Sequence, residues 1–167
     1  MKYIYFLIFM IIFTGCSSKY ENLSTVKTVD IQRYLGAWYE IARYENSFEK
    51  GCIGASATYT LGKDKSLKVL NRCFDENGQE IASATGEAYS VDATNTKLKV
   101  SFFWPFYGDY WIIKLAEDYR YSIVSEPRKK YLWILSRTKE LTSKDKKEIL
   151  DFLTEEGFKI EDLFWTK

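Results

Sequence analysis

Short segments with the residue pattern of β-strands recur along most of the chain, and their number and spacing limit the fold more than any other feature. Apolar and polar residues alternate within them, as in a sheet with one buried face. We predict strands at 36–44, 53–61, 67–72, 80–91, 97–103, 109–116, 120–125 and 131–137. Turn residues separate these segments, for example at 62–64, 75–78, 92–96 and 105–108. Eight antiparallel strands with short links can close into an up-and-down barrel that holds one small ligand.

One helix is predicted after the last of these strands. Thr142 or Ser143 can cap its start, and Gly157 can end it. Its apolar residues recur at helical spacing: Ile149, Phe152 and Leu153. We expect this stripe to pack against the barrel wall, and residues 163–166 to add a short final strand.

The first 16 residues read as a targeting segment rather than as part of the fold. Lys2 precedes an apolar run from Tyr3 to Phe13, which is 11 residues long, whereas a membrane-spanning helix needs about 20. Thr14-Gly15-Cys16 resembles the lipobox of bacterial lipoproteins, whose cysteine is acylated, although Phe13 replaces the usual leucine. An ordinary cleaved signal with an incidental cysteine is the alternative. We predict a signal peptide over 1–15, a lipidated tether over 16–29 and one domain over 30–167.

The composition argues against several classes of function. The chain has no histidine, which excludes Ser/His and Cys/His catalytic pairs, His-containing zinc sites and His-ligated haem. Removal of residues 1–15 takes away Lys2 and leaves 23 basic and 23 acidic residues. Because this neutral chain has no cluster of basic residues, nucleic acid is an improbable partner. We predict no metal and no cofactor.

Cys52 and Cys73 lie near the ends of two strands that fold about the turn at 62–64. Pairing those strands brings the two cysteines within a residue or two of facing each other. In an oxidising compartment such a pair is usually bridged, and the closed loop of about 20 residues would contribute about 3 kcal/mol. Two buried free thiols are the alternative.

Three short motifs occur in the order found in the lipocalin family. Residues 36–43, with Gly36 and Trp38, resemble the first motif in its bacterial lipoprotein form. Asp118-Tyr119 resembles the second motif, and Arg137 resembles the third. Residues 98–110 are also similar to the outer-membrane lipocalins of bacteria, and the resemblance extends from about residue 30 to residue 166.

This resemblance implies an all-β fold: an eight-stranded antiparallel up-and-down lipocalin barrel with one C-terminal α-helix and a short final strand. In the family the tryptophan lies at the closed bottom of the barrel and the arginine packs across it. Trp38, Arg137 and Asp118-Tyr119 are therefore expected to have structural roles. The resemblance also implies a small hydrophobic or amphiphilic ligand, such as a fatty acid or lysophospholipid, and a role in lipid storage or transport. The expected location is the periplasmic face of the outer membrane, with Cys16 as the anchor, and Ser17 resembles the corresponding sorting signal.

If Gly36 starts at the bottom, strand alternation places the loops at 45–52, 75–79, 104–108 and 126–130 at the open end. One of these loops is unusually aromatic, with Phe102, Phe103, Trp104, Phe106 and Tyr107 in or beside it. The cluster can line the pocket entrance, touch a membrane or form a partner surface. We take Phe102, Trp104, Phe106 and Tyr107, together with Glu40, as candidate ligand-binding residues.

Two questions about the barrel interior stay open at this point. Glu40 and Ala42 share the side of Trp38 in an ideal strand, so Glu40 is either an interior carboxylate that needs a partner or part of a salt bridge at the rim or bottom. A row of small residues either faces inward and leaves room for a ligand or faces outward under the helix: Ala82, Ala84, Gly86 and Ala88.

Two rival functions share these features. A scavenger of pigments, haem or toxic hydrophobic compounds would share every one of them, and an enzyme acting on a bound lipid could use Glu40 or a free cysteine. We predict a binding protein rather than an enzyme. The sequence leaves homodimerisation open.

Overall fold

The computed structural model describes residues 23–63 and 66–167 and confirms the predicted barrel. Its helices are α1 (Ile31–Tyr34) and α2 (Ser143–Glu155), with short 3₁₀ helices at Ser47–Glu49 and Ile160–Asp162. Its strands are β1 (Gly36–Tyr44), β2 (Gly54–Leu61), β3 (Leu67–Phe74), β4 (Glu80–Ser90), β5 (Lys97–Phe103), β6 (Phe106–Leu115), β7 (Tyr121–Ser125), β8 (Leu132–Ser136) and β9 (Leu163–Trp165). No helix among these residues is long and apolar enough to span a membrane. The predicted signal peptide and Cys16 lie outside the described residues.

The eight main strands form one closed antiparallel sheet. Each strand pairs with the next along the chain, and β1 closes the ring by pairing with both β2 and β8. The final strand β9 pairs with the end of β1 and adds to the outside of the barrel. Because direction alternates, the β1–β2, β3–β4, β5–β6 and β7–β8 connections lie at one end. We call this end the mouth and the opposite end the floor.

Two apolar clusters on opposite faces of the sheet show which residues point inward. The interior cluster surrounds Trp38, which is completely buried, and includes Tyr59, Val69, Ile112 and Leu135. The outer cluster lies between the sheet and α2 and contains Ile113, Ile123, Ile134, Ile149 and Leu153. The predicted helical stripe therefore packs on the barrel wall, and Thr142 caps α2 by accepting a hydrogen bond from the Asp145 amide.

A β-bulge in β1 changes the direction of the side chains in its second half. Glu40 pairs with Leu135 and Ala42 with Ile134, so Ile41 is an extra residue in the strand. Glu40 keeps the inward direction of Trp38, whereas Ala42 packs in the outer cluster. The expectation that Ala42 shares the side of Trp38 is wrong, because an inserted residue reverses the alternation beyond it. Arg43 then points inward beside Glu40.

Three local features differ from the simplest sequence prediction. The predicted turn at 105–108 is shorter, since β6 already begins at Phe106 and pairs with Phe103. Residues 23–29, predicted as part of a polar tether, pack on the barrel, with Leu23 and Val29 buried and the Val26 amide donating to Ile112 O at 3.0 Å. The short helix α1 follows, capped by Asp30, whose carboxylate accepts from the Gln32 amide at 2.9 Å.

Candidate functional site

The interior of the upper barrel, between the mouth and the level of Gly86, is the candidate site. Across β3 and β4, Ala84 pairs with Asn71 and Gly86 with Val69, which belongs to the interior cluster. The row of small residues from Ala82 to Ala88 therefore faces inward, and the question left open by the sequence is answered. Small side chains on this wall leave volume inside the barrel.

Solvent reaches this volume from the mouth. All residues from Glu80 to Thr85 are exposed, although side chains in a strand alternate between the two faces. The inward-facing Ala82 and Ala84 are thus as accessible as their outward neighbours, and the β4–β5 ladder begins only at Glu87, so this part of β4 has no strand beside it on the β5 side. Lower down, Gly86 and Ala88 are buried. The inner face of β4 is consequently open to solvent above Gly86 and buried from Gly86 downward.

Phe102 marks the boundary between the open and the filled parts. A Cβ atom on Gly86 would lie 2.8 Å from the Cδ1 atom of Phe102 and 2.7 Å from the carbonyl oxygen of Ser101. The Phe102 ring therefore rests directly on the backbone of Gly86, an approach that only glycine permits. Of the predicted aromatic candidates, Phe102 is the one that packs with the interior cluster.

A hydrogen-bonded group of tyrosines closes the space below. The Tyr110 hydroxyl lies 2.9 Å from the hydroxyls of both Tyr34 and Tyr59, and Tyr34 also contacts Ser122 Oγ at 3.1 Å. Burial raises the pKa of Tyr34 to about 12 and also raises the pKa values of Tyr59 and Tyr110. These hydroxyls remain neutral, so they form a polar but uncharged base to the cavity. The three tyrosines are not among the residues predicted from the sequence, although the alternation of Ala57 and Tyr59 was a usable signal.

The motif residues seal the floor from outside. The Arg137 guanidinium lies 3.8 Å from the Trp38 ring centre and donates to the carbonyl oxygens of Ala37 and Arg33, both at 2.7 Å. The Trp38 indole donates to Tyr34 O at 2.8 Å. This contact matches the packing implied by the family resemblance and places Trp38 and Arg137 away from the open cavity.

The second motif lies in a floor loop. Asp118 accepts a hydrogen bond from Arg120 at 2.8 Å, and the Tyr119 hydroxyl accepts from the Asp30 amide at 2.8 Å. Arg33 stacks 4.0 Å above the Tyr119 ring. These contacts hold α1 against the barrel. These contacts account for Asp118 and Tyr119 as structural residues without a ligand.

A buried charged cluster lies inside the barrel near the mouth. Arg43 donates to Glu40 at 2.6 Å and to the carbonyl oxygen of Cys52 at 2.8 Å, and its Nε lies 3.9 Å from Glu49. Burial, followed by the nearby Glu49 carboxylate, raises the pKa of Glu40 to about 8, and Arg43 only partly offsets this. Two carboxyl groups therefore share one guanidinium. Glu40 has an arginine as its partner, which is one of the arrangements expected from the sequence.

The Cys52–Cys73 disulfide braces the same end of the barrel. It joins the β1–β2 loop to the end of β3 and leaves neither cysteine as a thiol. In the braced loop, Phe48 packs against Tyr131 and Trp133, with ring centres 5.5 and 6.2 Å apart. Glu49 accepts a hydrogen bond from the Trp133 indole at 3.1 Å. This aromatic group was not predictable from the sequence, because its members come from two distant segments.

The other predicted aromatic residues lie at the outer tip of the β5–β6 hairpin. Phe103 is 76% exposed, Trp104 is 83% exposed and Phe106 is 76% exposed, whereas Tyr107 is 44% exposed and packs against Tyr89. The predicted set of four ligand-binding aromatics is thus divided. Phe102 packs in the interior cluster, Trp104 and Phe106 are largely exposed at the hairpin tip, and Tyr107 packs against Tyr89.

Two further clefts lie outside the barrel. Their volumes are about 570 and 320 Å³, and both are lined by Tyr44, Lys130 and Asp162 beside the 3₁₀ helix Ile160–Asp162. Their walls carry several charged side chains, so they do not suit an apolar ligand. Within residues 23–63 and 66–167, no group of acidic or cysteine side chains is arranged to hold a metal ion.

A closed eight-stranded barrel with an open mouth, a tryptophan and arginine seal at the floor and one helix on its wall defines a lipocalin. The family model of the lipocalin-like domain matches residues 29–167, and the chain belongs to this family.

Relatives and solved structures agree with this assignment. The chain is 39% identical over 160 residues to the outer membrane lipoprotein Blc of Escherichia coli K12, covering 95% of this chain and 90% of that protein. It is 35% identical over 156 residues to the temperature-induced lipocalin-1 of Arabidopsis thaliana, covering 87% and 83%. Insecticyanin from the tobacco hornworm Manduca sexta superposes with a TM-score of 0.71 at 21% identity, covering 87% of this chain and 84% of that one.

Proposed function

We propose that the protein binds one amphiphile with a long acyl chain, a fatty acid or a lysophospholipid, inside the upper barrel. The observation that carries this proposal is the solvent-accessible inner wall of Ala82 and Ala84 above the filled lower barrel. An acyl chain placed there leaves water and gains about 0.8 kcal/mol per buried methylene before ordering costs. Affinity then requires no covalent chemistry.

The nature of the site also bears on the rival enzymatic function. Cys52 and Cys73, which a lipid-processing enzyme could use as nucleophiles if they were free, are joined in the disulfide. Glu40 is held by Arg43 under the mouth loop. The described interior offers an apolar wall and an uncharged tyrosine base, which suit binding.

A pair of neighbouring substitutions tests the binding site. Ala84→Phe fills the open cavity, whereas Ser83→Phe places the same ring on the outer face of the same strand. In a titration of residues 17–167 with a fluorescent fatty acid and a fluorescent lysophospholipid, we expect Ala84→Phe to weaken binding at least about tenfold. Ser83→Phe should bind as the wild type does. Equal affinities for the two variants, or no saturable binding by the wild type, would remove the proposed site.

We further propose that the protein is anchored at the periplasmic face of the outer membrane through an acylated Cys16. The support comes from the lipobox-like residues 14–16 and from relatives that are themselves named outer membrane lipoproteins. Cys16→Ser should abolish metabolic labelling with palmitate and lower the share of the protein found in the outer-membrane fraction. Unchanged labelling would show that the acylated residue lies elsewhere.

A further inference from the structure

The tip of the β5–β6 hairpin differs from the other three loops at the mouth. Its side chains Phe103, Trp104 and Phe106, here called the aromatic tip, are each at least 76% exposed. No charged residue occurs between Val100 and Gly108, and the next one, Asp109, is paired with Lys99 at 2.8 Å. The other three mouth loops all carry charged residues: Glu45, Glu49 and Lys50; Asp75 and Glu76; and Glu126, Arg128, Lys129 and Lys130. Exposure of three large aromatic side chains in one uncharged loop indicates a contact surface.

We propose that the aromatic tip inserts into the surface of a lipid bilayer and turns the mouth of the barrel toward it. Tryptophan and other aromatic side chains favour the interface between water and acyl chains. An uncharged loop can enter this zone without the cost of removing charges from water. The inference rests on the proposed function, since it describes how the ligand reaches the cavity.

A second copy of the chain is a weaker explanation for the exposed tip. Three aromatic side chains of about 200 Å² each, about four-fifths exposed, present roughly 500 Å². A stable protein interface buries about 800 Å² on each partner. The tip alone falls short of this area, whereas a bilayer needs no matching protein surface.

The length of the N-terminal segment allows the anchor and the tip to reach one surface. The chain enters the described structure at Leu23, three residues before Val26, whose amide bonds to Ile112 on β6. The tip residue Phe106 lies six residues above Ile112 on the same strand, a rise of about 20 Å. The seven residue steps from Cys16 to Leu23 can span up to about 24 Å. An acylated Cys16 and the aromatic tip can therefore contact the same leaflet.

Insertion of the tip would also give the ligand a direct route. Phe102, the residue before the tip, lies on Gly86 at the base of the open cavity. A lipid that leaves the bilayer beside the tip can thus enter the barrel along β5 without first dissolving in water.

Flotation with vesicles of phosphatidylethanolamine and phosphatidylglycerol tests the proposal. The protein is the chain from residue 17 onward, which retains every element of the described fold but lacks the lipid anchor. The tip variant is Phe103→Ser/Trp104→Ser/Phe106→Ser. The matched control is Leu61→Ser/Val91→Ser, which removes two exposed apolar side chains at the floor end. Thermal unfolding checks that both variants are folded. If the triple variant is not folded, the single variant Trp104→Ser replaces it in the flotation experiment.

We expect the tip variant to lower the partition coefficient at least about tenfold and the control to change it less than about twofold. Added salt should leave wild-type binding unchanged, because the contact is apolar. Absence of wild-type flotation, equal losses in tip and control variants, or loss of binding in salt would overturn the proposal. So would sedimentation data showing that the tip mediates self-association instead. Wild-type protein that binds the fluorescent fatty acid or the fluorescent lysophospholipid but does not float would refute the docking alone, whereas protein that floats but binds neither fluorescent lipid would refute the proposed function.

Discussion

The buried Glu40–Arg43–Glu49 cluster makes a prediction about stability and pH. The pKa of Glu40 is about 8 in the folded protein and 4.5 for a free glutamate. Between these two pH values, the folded state therefore binds more protons than the unfolded state does. The contribution of Glu40 to the free energy of unfolding is therefore fully present below about pH 4.5. It is lost as the pH rises through 8. At about 1.4 kcal/mol per pH unit, the difference amounts to at most roughly 5 kcal/mol over this window.

Glu40→Gln isolates this effect. The glutamine amide reproduces the protonated carboxyl group, since its oxygen can accept from Arg43 and its nitrogen can donate to Glu49. Urea unfolding between pH 5 and pH 8, followed by tryptophan fluorescence, should show a falling free energy of unfolding for the wild type and a clearly shallower fall for Glu40→Gln. Glu87→Gln, at the exposed pair with Lys68, should behave as the wild type does. The reasoning is refuted if wild-type stability is constant or rises over this range, or if Glu40→Gln keeps the full slope.

Three further predictions concern the packing of the barrel. Gly86→Ala should lower the free energy of unfolding, measured by chemical denaturation, by about 1–3 kcal/mol, because the added Cβ atom meets Phe102. Gly108→Ala is the control and should cost less than about 1 kcal/mol, since the nearest atom to its added Cβ lies 3.9 Å away. Arg137→Met should cost about 2–4 kcal/mol through loss of the Trp38 contact and two hydrogen bonds, and an unchanged melting temperature would contradict the floor seal. Cys52→Ser/Cys73→Ser should cost about 3 kcal/mol, and reductant should bring the wild type to the same stability but leave the variant unaffected.

The barrel, its strand order and the outer helix were predictable because each depends on local patterns. Alternation at 53–61 and helical spacing around Ile149 and Leu153 indicate directly which side of an element is apolar. The proximity of Cys52 and Cys73 followed from a single hairpin, so it needed no knowledge of distant segments. The motif residues Trp38 and Arg137 added the floor contact by resemblance.

The candidate site was only partly predictable. Phe102 was among the candidates and lies in the interior cluster, but it could not be separated from the exposed aromatics of the tip until the β5–β6 pairing was known. The Arg43 partner of Glu40 was hidden by the bulge at Ile41, because alternation assumes an unbroken ladder. The packing of residues 23–29 was also missed, since three isolated apolar residues in a polar segment have no strong period.

The amino-acid sequence alone determined that this chain alternates apolar and polar residues into eight strands, lacks histidine and places two cysteines at the ends of one hairpin. Only the tertiary structure decided that the Ala82–Ala88 row faces an open interior and that tyrosines from three separate segments meet below it. The physical reason is that the conformational preference of a residue acts over only a few neighbours. The direction and burial of a side chain in a closed sheet depend on strand register and on bulges, which are set by pairing with strands far along the chain.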